Sequence, residues 1–250
     1  MIPYFSIIAF KLGPLTIYVW GLLVSIGFLA GILSAYLICK KWRLDFDKIF
    51  NLSILLLIVG LFGGRLFWWL EHFDEIKSAR EFFNLSAGGL SSSGGFVFGG
   101  IVLAIWFFLL KQKNLYWQYL DVLAIAFIPL WIFSRLGCFL IHDHLGRYSN
   151  SFLAVNFSGG ARFDMALFEI LLMILIGIFF LIFKSKKEGD YALKLILMYS
   201  LGRFFLDFLR ATDLKGVDSR YFGLTLAQYI MIGLFITACL IFKRINVKVK

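Results

Sequence analysis

The sequence predicts an all-α polytopic integral membrane protein of about seven transmembrane helices, with its N-terminus outside and its C-terminus in the cytoplasm. Composition predicts the class: 61% of the 250 residues are hydrophobic and only 16% are charged, and the mean hydropathy is +0.87, far beyond a soluble domain. The number of helices follows from apolar runs long enough to cross roughly 30 Å of hydrocarbon. The direction follows from where the basic residues fall.

The first run, residues 16–38, comes after MIPYFSIIAF, which has neither a basic n-region nor a small-residue cleavage site behind it. This run is therefore expected to stay as a helix rather than be removed as a signal peptide. Runs at 50–70, 95–110, 116–134, 164–183, 190–209 and 223–242 supply the other six, the third and fourth being short. What remains is too small for a soluble module, which leaves a single transmembrane domain, 1–250, with larger outer loops at about 71–94 and 135–163. Basic residues are densest after the first, third, fifth and seventh runs, as in Lys40, Lys41, Arg43 and Lys48, or Lys243, Arg244, Lys248 and Lys250. Positive-inside logic puts those connectors in the cytoplasm, as an odd helix count with an outer N-terminus requires. The net charge of +10 is thus topological, and no nucleic-acid partner is expected. Cys39, Cys138 and Cys239 sit in or beside apolar segments and imply no disulfide framework.

Under this topology the polar chemistry collects on the outer side. "RLGCFLIHDHLGRYSN", residues 135–150, concentrates Arg135, His142, Asp143, His144 and Arg147 at the outer end of the fourth helix, and His72 lies on the same side. Arg65, in "GGRLFWWLEH", is about five residues, or roughly 8 Å, inside the end of its helix. Tyr199, Arg203, Asp207 and Arg210 follow spacings of four, four and three and form one stripe on the sixth helix. Glu169 lies near the outer start of the fifth helix. A single arginine near a helix end is usually a snorkelling anchor. Three at one depth (Arg65, Arg135 and Arg203) suit an anion held by planar forks, and lipid phosphate is the anion found there.

"AGGLSSSGGFVFGG", residues 87–100, reads in two parts. Gly99 and Gly100 are expected to serve close helix packing, whereas Gly88 to Gly95, with Ser93, Gly94 and Gly95, would give backbone freedom and N–H donors near a headgroup. No Gly-Lys-Ser/Thr follows, so a nucleotide phosphate loop is disfavoured. The His142-Asp143-His144 run, with His72 as a third ligand, invites a metal reading, but residues at i and i+2 converge only on an extended or turning backbone and no fourth ligand is evident. No metal and no cofactor are expected.

Six stretches in order resemble the bacterial prolipoprotein diacylglyceryl transferase family: "YVWGLLVSIGFLAG", "GGRLFWWLEH", "GGLSSSGG", "RLGCFLIHDHLGR", "FDMALFE", and "YSLGRFFLDFLR" with "GLTLAQY". The resemblance implies a multi-pass protein of the cell (inner, cytoplasmic) membrane with its active site toward the outer face. It would transfer the diacylglyceryl group of phosphatidylglycerol to the lipobox cysteine of prolipoprotein signal peptides, forming a thioether and releasing glycerol phosphate. By that resemblance Arg135 and Arg203 are the phosphate-site arginines, Asp207 stands where Glu is usual, and Arg147 closes the signature. The chain departs from the pattern at Trp20 (usually Tyr), Ser93 (often His), Cys138 (often Asn) and Phe163 (usually His). A Ser hydroxyl is a poor base at neutral pH, which leaves His142 and His144 as candidates to deprotonate the acceptor thiol. The catalytic set expected is therefore Arg135, Arg203, His142, His144 and Asp207. The substrate-binding set is Arg65, Tyr199, Arg147, Arg210, Gly94, Gly95, Ser93, Asp143 and Glu169. Two other readings stay open at this stage: a transporter or channel for an anionic lipid or metabolite, using the same arginines, and a relative that keeps the fold without the activity.

Overall fold

The structure, a computed structural model, describes residues 1–71, 82, 89–110, 115–185, 187–214 and 219–247. His72, Gly88 and most of the loop expected at 71–94 lie outside the described residues, as does the side chain of Ser93. All seven expected segments are helices: α1 (Val19–Trp42), α2 (Phe46–Glu71), α3 (Ser92–Leu109), α4 (Tyr116–Ile141), α5 (Met165–Ile182), α6 (Asp190–Leu206) and α7 (Leu226–Val247). Among the described residues, five of them (α1, α2, α4, α5 and α7) are long and apolar enough to cross a membrane. The apolar stretch of α3 is shorter, Gly94–Leu109, and α6 spans 17 residues that include Asp190, Lys194 and Arg203. Leu29, Leu33, Leu175, Leu181, Ile236 and Leu240 project from their helices into the surroundings. So apolar an exterior suits a hydrocarbon solvent rather than water.

Helix α4 runs seven residues past the point where the apolar run ends, so Arg135 lies within a helix rather than opening a loop. The apolar pattern stops at a charge, but the helix continues because that charge is neutralised by a neighbouring helix. The connectors also hold more order than expected. Strands β1 (Ile2–Pro3), β5 (Val155–Phe157), β6 (Gly160–Asp164) and β4 (Leu145–Tyr148) form one four-stranded sheet in that order, and β2 (Ala9–Leu12) pairs with β3 (Leu15–Tyr18). A third pair, β7 (Arg220–Tyr221) and β8 (Leu224–Thr225), precedes α7. Strands of two to five residues are too short to print an alternating pattern on the sequence.

The chain divides into two compact units, residues 1–41 with 120–250, and residues 42–119. In the first, α1 buries Gly27, Gly31, Ala35 and Cys39, a stripe with a spacing of four. A Cβ on Gly27 would lie 2.9 Å from the Leu130 carbonyl oxygen, and one on Gly31 2.9 Å from that of Ala126, so α1 meets α4 backbone to backbone. Asp121 of α4, 2% exposed, accepts from the backbone N–H groups of Gly189 (2.7 Å) and Ala192 (2.8 Å). It thereby satisfies the first turn of α6 from another helix. Arg162 of β6 makes a two-pronged ion pair with Asp213 and lies over the Tyr148 ring at 3.5 Å. The pair holds the Asp213 carboxyl below its ordinary range and ties the sheet to the segment after α6.

In the second unit α2 and α3 pack through glycine, but not through the pair expected. A Cβ on Gly94 would fall 2.1 Å from the Gly63 carbonyl oxygen, whereas Gly99 has only the Leu56 side chain at 3.9 Å and Gly100 nothing within 4 Å. Close packing therefore belongs to Gly94. A Gly94→Ala variant should lose about 1–3 kcal/mol through overpacking against backbone that cannot yield, and Gly100→Ala should be neutral or slightly stabilising. Thermal unfolding in detergent distinguishes the two, and equal melting temperatures would contradict the close contact.

Candidate active site

The site is built on three consecutive helices of the first unit. On α4, Trp131, Arg135 and Cys138 follow i, i+4, i+7 and share one face. Glu169 lies in the second turn of α5, and Tyr199 and Arg203 in the last two turns of α6, which ends on a short 3₁₀ turn, Asp207–Leu209. Two glycines lie at close helix contacts here, Gly202 between α6 and α5 and Gly137 between α4 and α1. A Cβ on Gly202 would meet the Leu172 side chain of α5 at 2.6 Å, and one on Gly137 would meet Trp20 at 3.1 Å. Each arginine motif, Arg-Leu-Gly-Cys and Leu-Gly-Arg, thus carries the glycine that lets its helix come close.

Glu169, 1% exposed, is the centre of the arrangement. Its Oε2 lies 3.0 Å from Arg135 Nε and its Oε1 3.4 Å from Arg203 Nε. Oε2 also accepts from the Tyr199 hydroxyl at 3.1 Å and the Trp131 indole N–H at 3.3 Å. Arg203 reaches on to Asp207 Oδ1 at 2.7 Å, where Arg210 approaches to 3.8 Å, and Thr225 donates its hydroxyl to the other Asp207 oxygen. The Arg135 guanidinium lies over the Trp131 ring, 4.7 Å from its centroid. Three guanidiniums, Arg135, Arg203 and Arg210, thus converge on Glu169 and Asp207. Arg135 and Arg203 are 8% and 7% exposed, little contact with solvent but not none.

The histidine segment lies beside this network because α4 ends in a left-handed residue. His142, with φ of 56°, turns the chain back over the last turn of its own helix. Its ring is held on both sides: Nδ1 lies 2.7 Å from Asp164 Oδ2, and Nε2 lies 2.5 Å from the Phe5 carbonyl oxygen. That carbonyl can only accept, so Nε2 carries a hydrogen, and the contact with Asp164 requires a further proton between ring and carboxylate. Burial pushes Asp164 up against the opposing pull of His142. Asp164 also caps α5, its Oδ1 accepting from Ala166 N–H at 2.9 Å. Tyr4, Phe5, Phe139 and Phe157 surround the His142 ring. His142 therefore braces the loop and offers no free nitrogen.

Asp143 is exposed and His144 half-buried, with His144 Nε2 3.6 Å from Asp143 Oδ1. Burial, reinforced by the guanidiniums of Arg135 and Arg210, pushes His144 down to about 3. The turn at His142 also brings both residues to Cys138: the thiol, a carboxylate oxygen of Asp143 and a ring nitrogen of His144 lie within 4.8 Å of one another. Sequence reasoning placed Cys138 among the apolar residues and did not join it to the two that follow. An i, i+5, i+6 spacing brings side chains together only if the helix stops between them, and no residue type announces a left-handed His.

The remaining expected residues fall elsewhere. Arg147 is exposed on β4. In the second unit, Arg65 is 2% exposed and donates to the carbonyl oxygens of Phe82 (3.1 Å) and Gly89 (2.8 Å). It stands over the Trp68 ring at 5.0 Å. Gly89, with φ of +80°, has no room for a Cβ between Arg65 and Trp68, and Gly95 follows Gly94 in the first turn of α3.

If Glu169 balances two buried cations, Glu169→Gln should destabilise the protein by about 3–5 kcal/mol, since it leaves both guanidiniums short of a counter-charge. A melting temperature equal to that of the unaltered protein would show that the arginines need no such partner.

Comparison with known proteins agrees with this geometry. Residues 7–244 match the family model described as prolipoprotein diacylglyceryl transferase. A phosphatidylglycerol–prolipoprotein diacylglyceryl transferase of Clostridium botulinum (strain Langeland) is 30% identical over 96% of this chain and 97% of its own length. One of the same description from Campylobacter jejuni (strain 81-176) is 26% identical over 97% of this chain and 96% of its own. With a family match across almost its whole length and the arginine network in place, the chain belongs to the prolipoprotein diacylglyceryl transferase family.

Proposed function

We propose that this protein transfers the diacylglyceryl group of phosphatidylglycerol to the lipobox cysteine thiol of prolipoprotein signal peptides. The observation that carries the reading is the pair of buried arginines, Arg135 and Arg203, brought from two helices onto a single carboxylate of a third. A phosphodiester headgroup carries one negative charge. When its carbon–oxygen bond breaks, the departing glycerol phosphate gains a second, and fixed guanidiniums stabilise that developing charge without reorganising. Glu169, Asp207, Tyr199 and Trp131 hold the two arginines in place, and Arg210 adds charge at the rim. Arg147, Arg65, Gly94, Gly95 and Ser93 are assigned to substrate binding on their motifs alone. A transport reading, which the helices by themselves left open, is not favoured by the family.

His142 is spent as a brace, so His144, with Asp143 beside it, is the histidine of that loop left to contact the acceptor, as a neutral ring that accepts a hydrogen bond from the thiol rather than storing its proton. The distribution of basic residues supports an outer position for the loop, where lipid headgroup and signal-peptide cysteine would meet.

Purified protein in phosphatidylglycerol vesicles, supplied with a lipobox peptide, should release glycerol phosphate and form a thioether peptide. Arg135→Lys and Arg203→Lys keep the charge but lose the planar fork, and turnover should fall by about 100-fold or more in each. Unchanged turnover in both would reduce the arginines to structural ion pairs. His142→Gln should act through stability, lowering the melting temperature, while His144→Gln should lower turnover in a protein that melts normally. The reverse pattern would exchange the roles assigned to the two rings. A reporter fused at 142–144 should be active outside the cell membrane, and a cytoplasmic signal would overturn the orientation.

A further inference from the structure

The start of α7 carries two buried polar side chains that the transfer chemistry above does not use. In "GLTLAQY", Thr225 immediately precedes the helix and Gln228 lies in its first turn. Thr-x-x-Gln is the spacing of a capping box, and both halves of the box are made. Gln228 N–H donates to Thr225 Oγ1 at 3.2 Å, and Thr225 N–H donates to Gln228 Oε1 at 2.9 Å. A box on a protein surface leaves the hydroxyl proton and the amide NH₂ to water. Here Thr225 is 1% exposed and Gln228 0%, so both donors need protein partners. They find them at the end of one helix: Thr225 donates its hydroxyl to Asp207 Oδ2, and Gln228 Nε2 donates to the Phe204 carbonyl oxygen at 3.1 Å.

Phe204 and Asp207 bound the turn that follows Arg203, where a helix runs out of its own N–H groups for its carbonyls. The side chains that start α7 therefore also close α6. Asp207 is held at three atoms. Its Oδ1 accepts from Arg203 Nη1 at 2.7 Å and its Oδ2 from Thr225. Its carbonyl oxygen accepts at 3.3 Å from Nη2 of Arg220, the residue opposite Thr225 in the β7–β8 hairpin. A carboxylate bonded through one oxygen can turn about its side-chain torsion. Bonded through both, it has a fixed plane, and Oδ1 is aimed at Arg203. The hydroxyl brings no charge to the site, so what it contributes is direction.

We propose that Thr225 and Gln228 are positioning residues for the transfer. Thr225 locks the Asp207 carboxylate, Asp207 with Glu169 orients the Arg203 guanidinium, and Gln228 holds the turn that carries Asp207. The inference rests on the transferase reading above and extends it, because it makes the start of α7 part of what sets the phosphate site. Both residues act through Asp207 rather than on the lipid. A guanidinium already aligned stabilises the charge on the departing glycerol phosphate without first reorienting. The effect therefore falls on the chemical step and not on lipid binding.

The test uses full-length protein in phosphatidylglycerol nanodiscs with a lipobox peptide. Thr225→Val keeps the shape of the side chain and Thr225→Gly keeps a residue tolerated at a helix start, but both lack the hydroxyl. Each should lower kcat about 10-fold, the loss of one hydrogen bond to a charged group, with KM for the lipid changed less than about twofold. Thr225→Ser should restore kcat, and Gln228→Met should lower it as Thr225→Val does. In an Asp207→Ala background Thr225→Val should lower kcat no further, because the residue it acts through is gone. A box that served only α7 would lower the melting temperature and leave kcat of the folded protein unchanged, or would lower kcat by the same factor in both backgrounds; either result overturns the proposal. A second readout does not depend on turnover. In protein carrying isotope-labelled arginine, the Nε–H resonance of Arg203, identified by its loss in Arg203→Lys, should shift in Thr225→Val and Thr225→Gly and return in Thr225→Ser. An unmoved resonance overturns the positioning role. Failure of the transferase reading has a different signature: no glycerol phosphate from the unaltered protein, with the Arg203 resonance still responding to Thr225.

Discussion

Two guanidiniums share one carboxylate, and the arrangement of α4, α5 and α6 depends on it. Arg135, Glu169 and Arg203 come from three different helices, and each is nearly sealed from solvent. Any one of them left alone there would cost several kcal/mol, or the helix would have to shift to expose it. Together they fix how deep and at what rotation each helix sits. Gly202 looks like a secondary detail, yet it is a condition for this bridge, because a side chain there would meet Leu172 and hold α6 away from the helix that carries the carboxylate.

The same bridge accounts for what the sequence could and could not announce. Tyr199, Arg203 and Asp207 were legible as one face because they lie on a single helix and its continuing turn, where spacing alone decides direction. Glu169 was legible as a polar residue near a helix start, but not as the partner of both arginines, since contacts between helices leave no period on either one. The end of α4 was misplaced for a related reason. A charge interrupts an apolar run without interrupting a helix when another helix supplies the counter-charge.

Segments outside the helices were the least legible. The four-stranded sheet is assembled from pieces as short as Ile2–Pro3, and its order joins residues far apart in the chain. The turn at His142 was invisible because a left-handed backbone is expected of Gly or Asn, and here it is stabilised by the bonds the ring makes with Asp164 and Phe5. In the glycine run the sequence reading chose the wrong pair: Gly94 faces a glycine on the opposing helix, while Gly99 and Gly100 face little, and only the partner's residues decide that.

The segment before α1 has a history written into its contacts. Ile2 N–H donates to Ala154, Ile7 N–H to Leu140, and Phe5 accepts from His142. On the ribosome, residues 2–8 emerge long before residues 140–155, with α1 to α4 to be made in between. Through that interval this stretch, rich in Tyr, Phe and Ile, lacks the partners it has in the folded protein, and its strand edge is unpaired. The loop after α4 and the segment that braces it therefore become native in one late event. The order of synthesis thus defers completion of the site until most of the chain has been made.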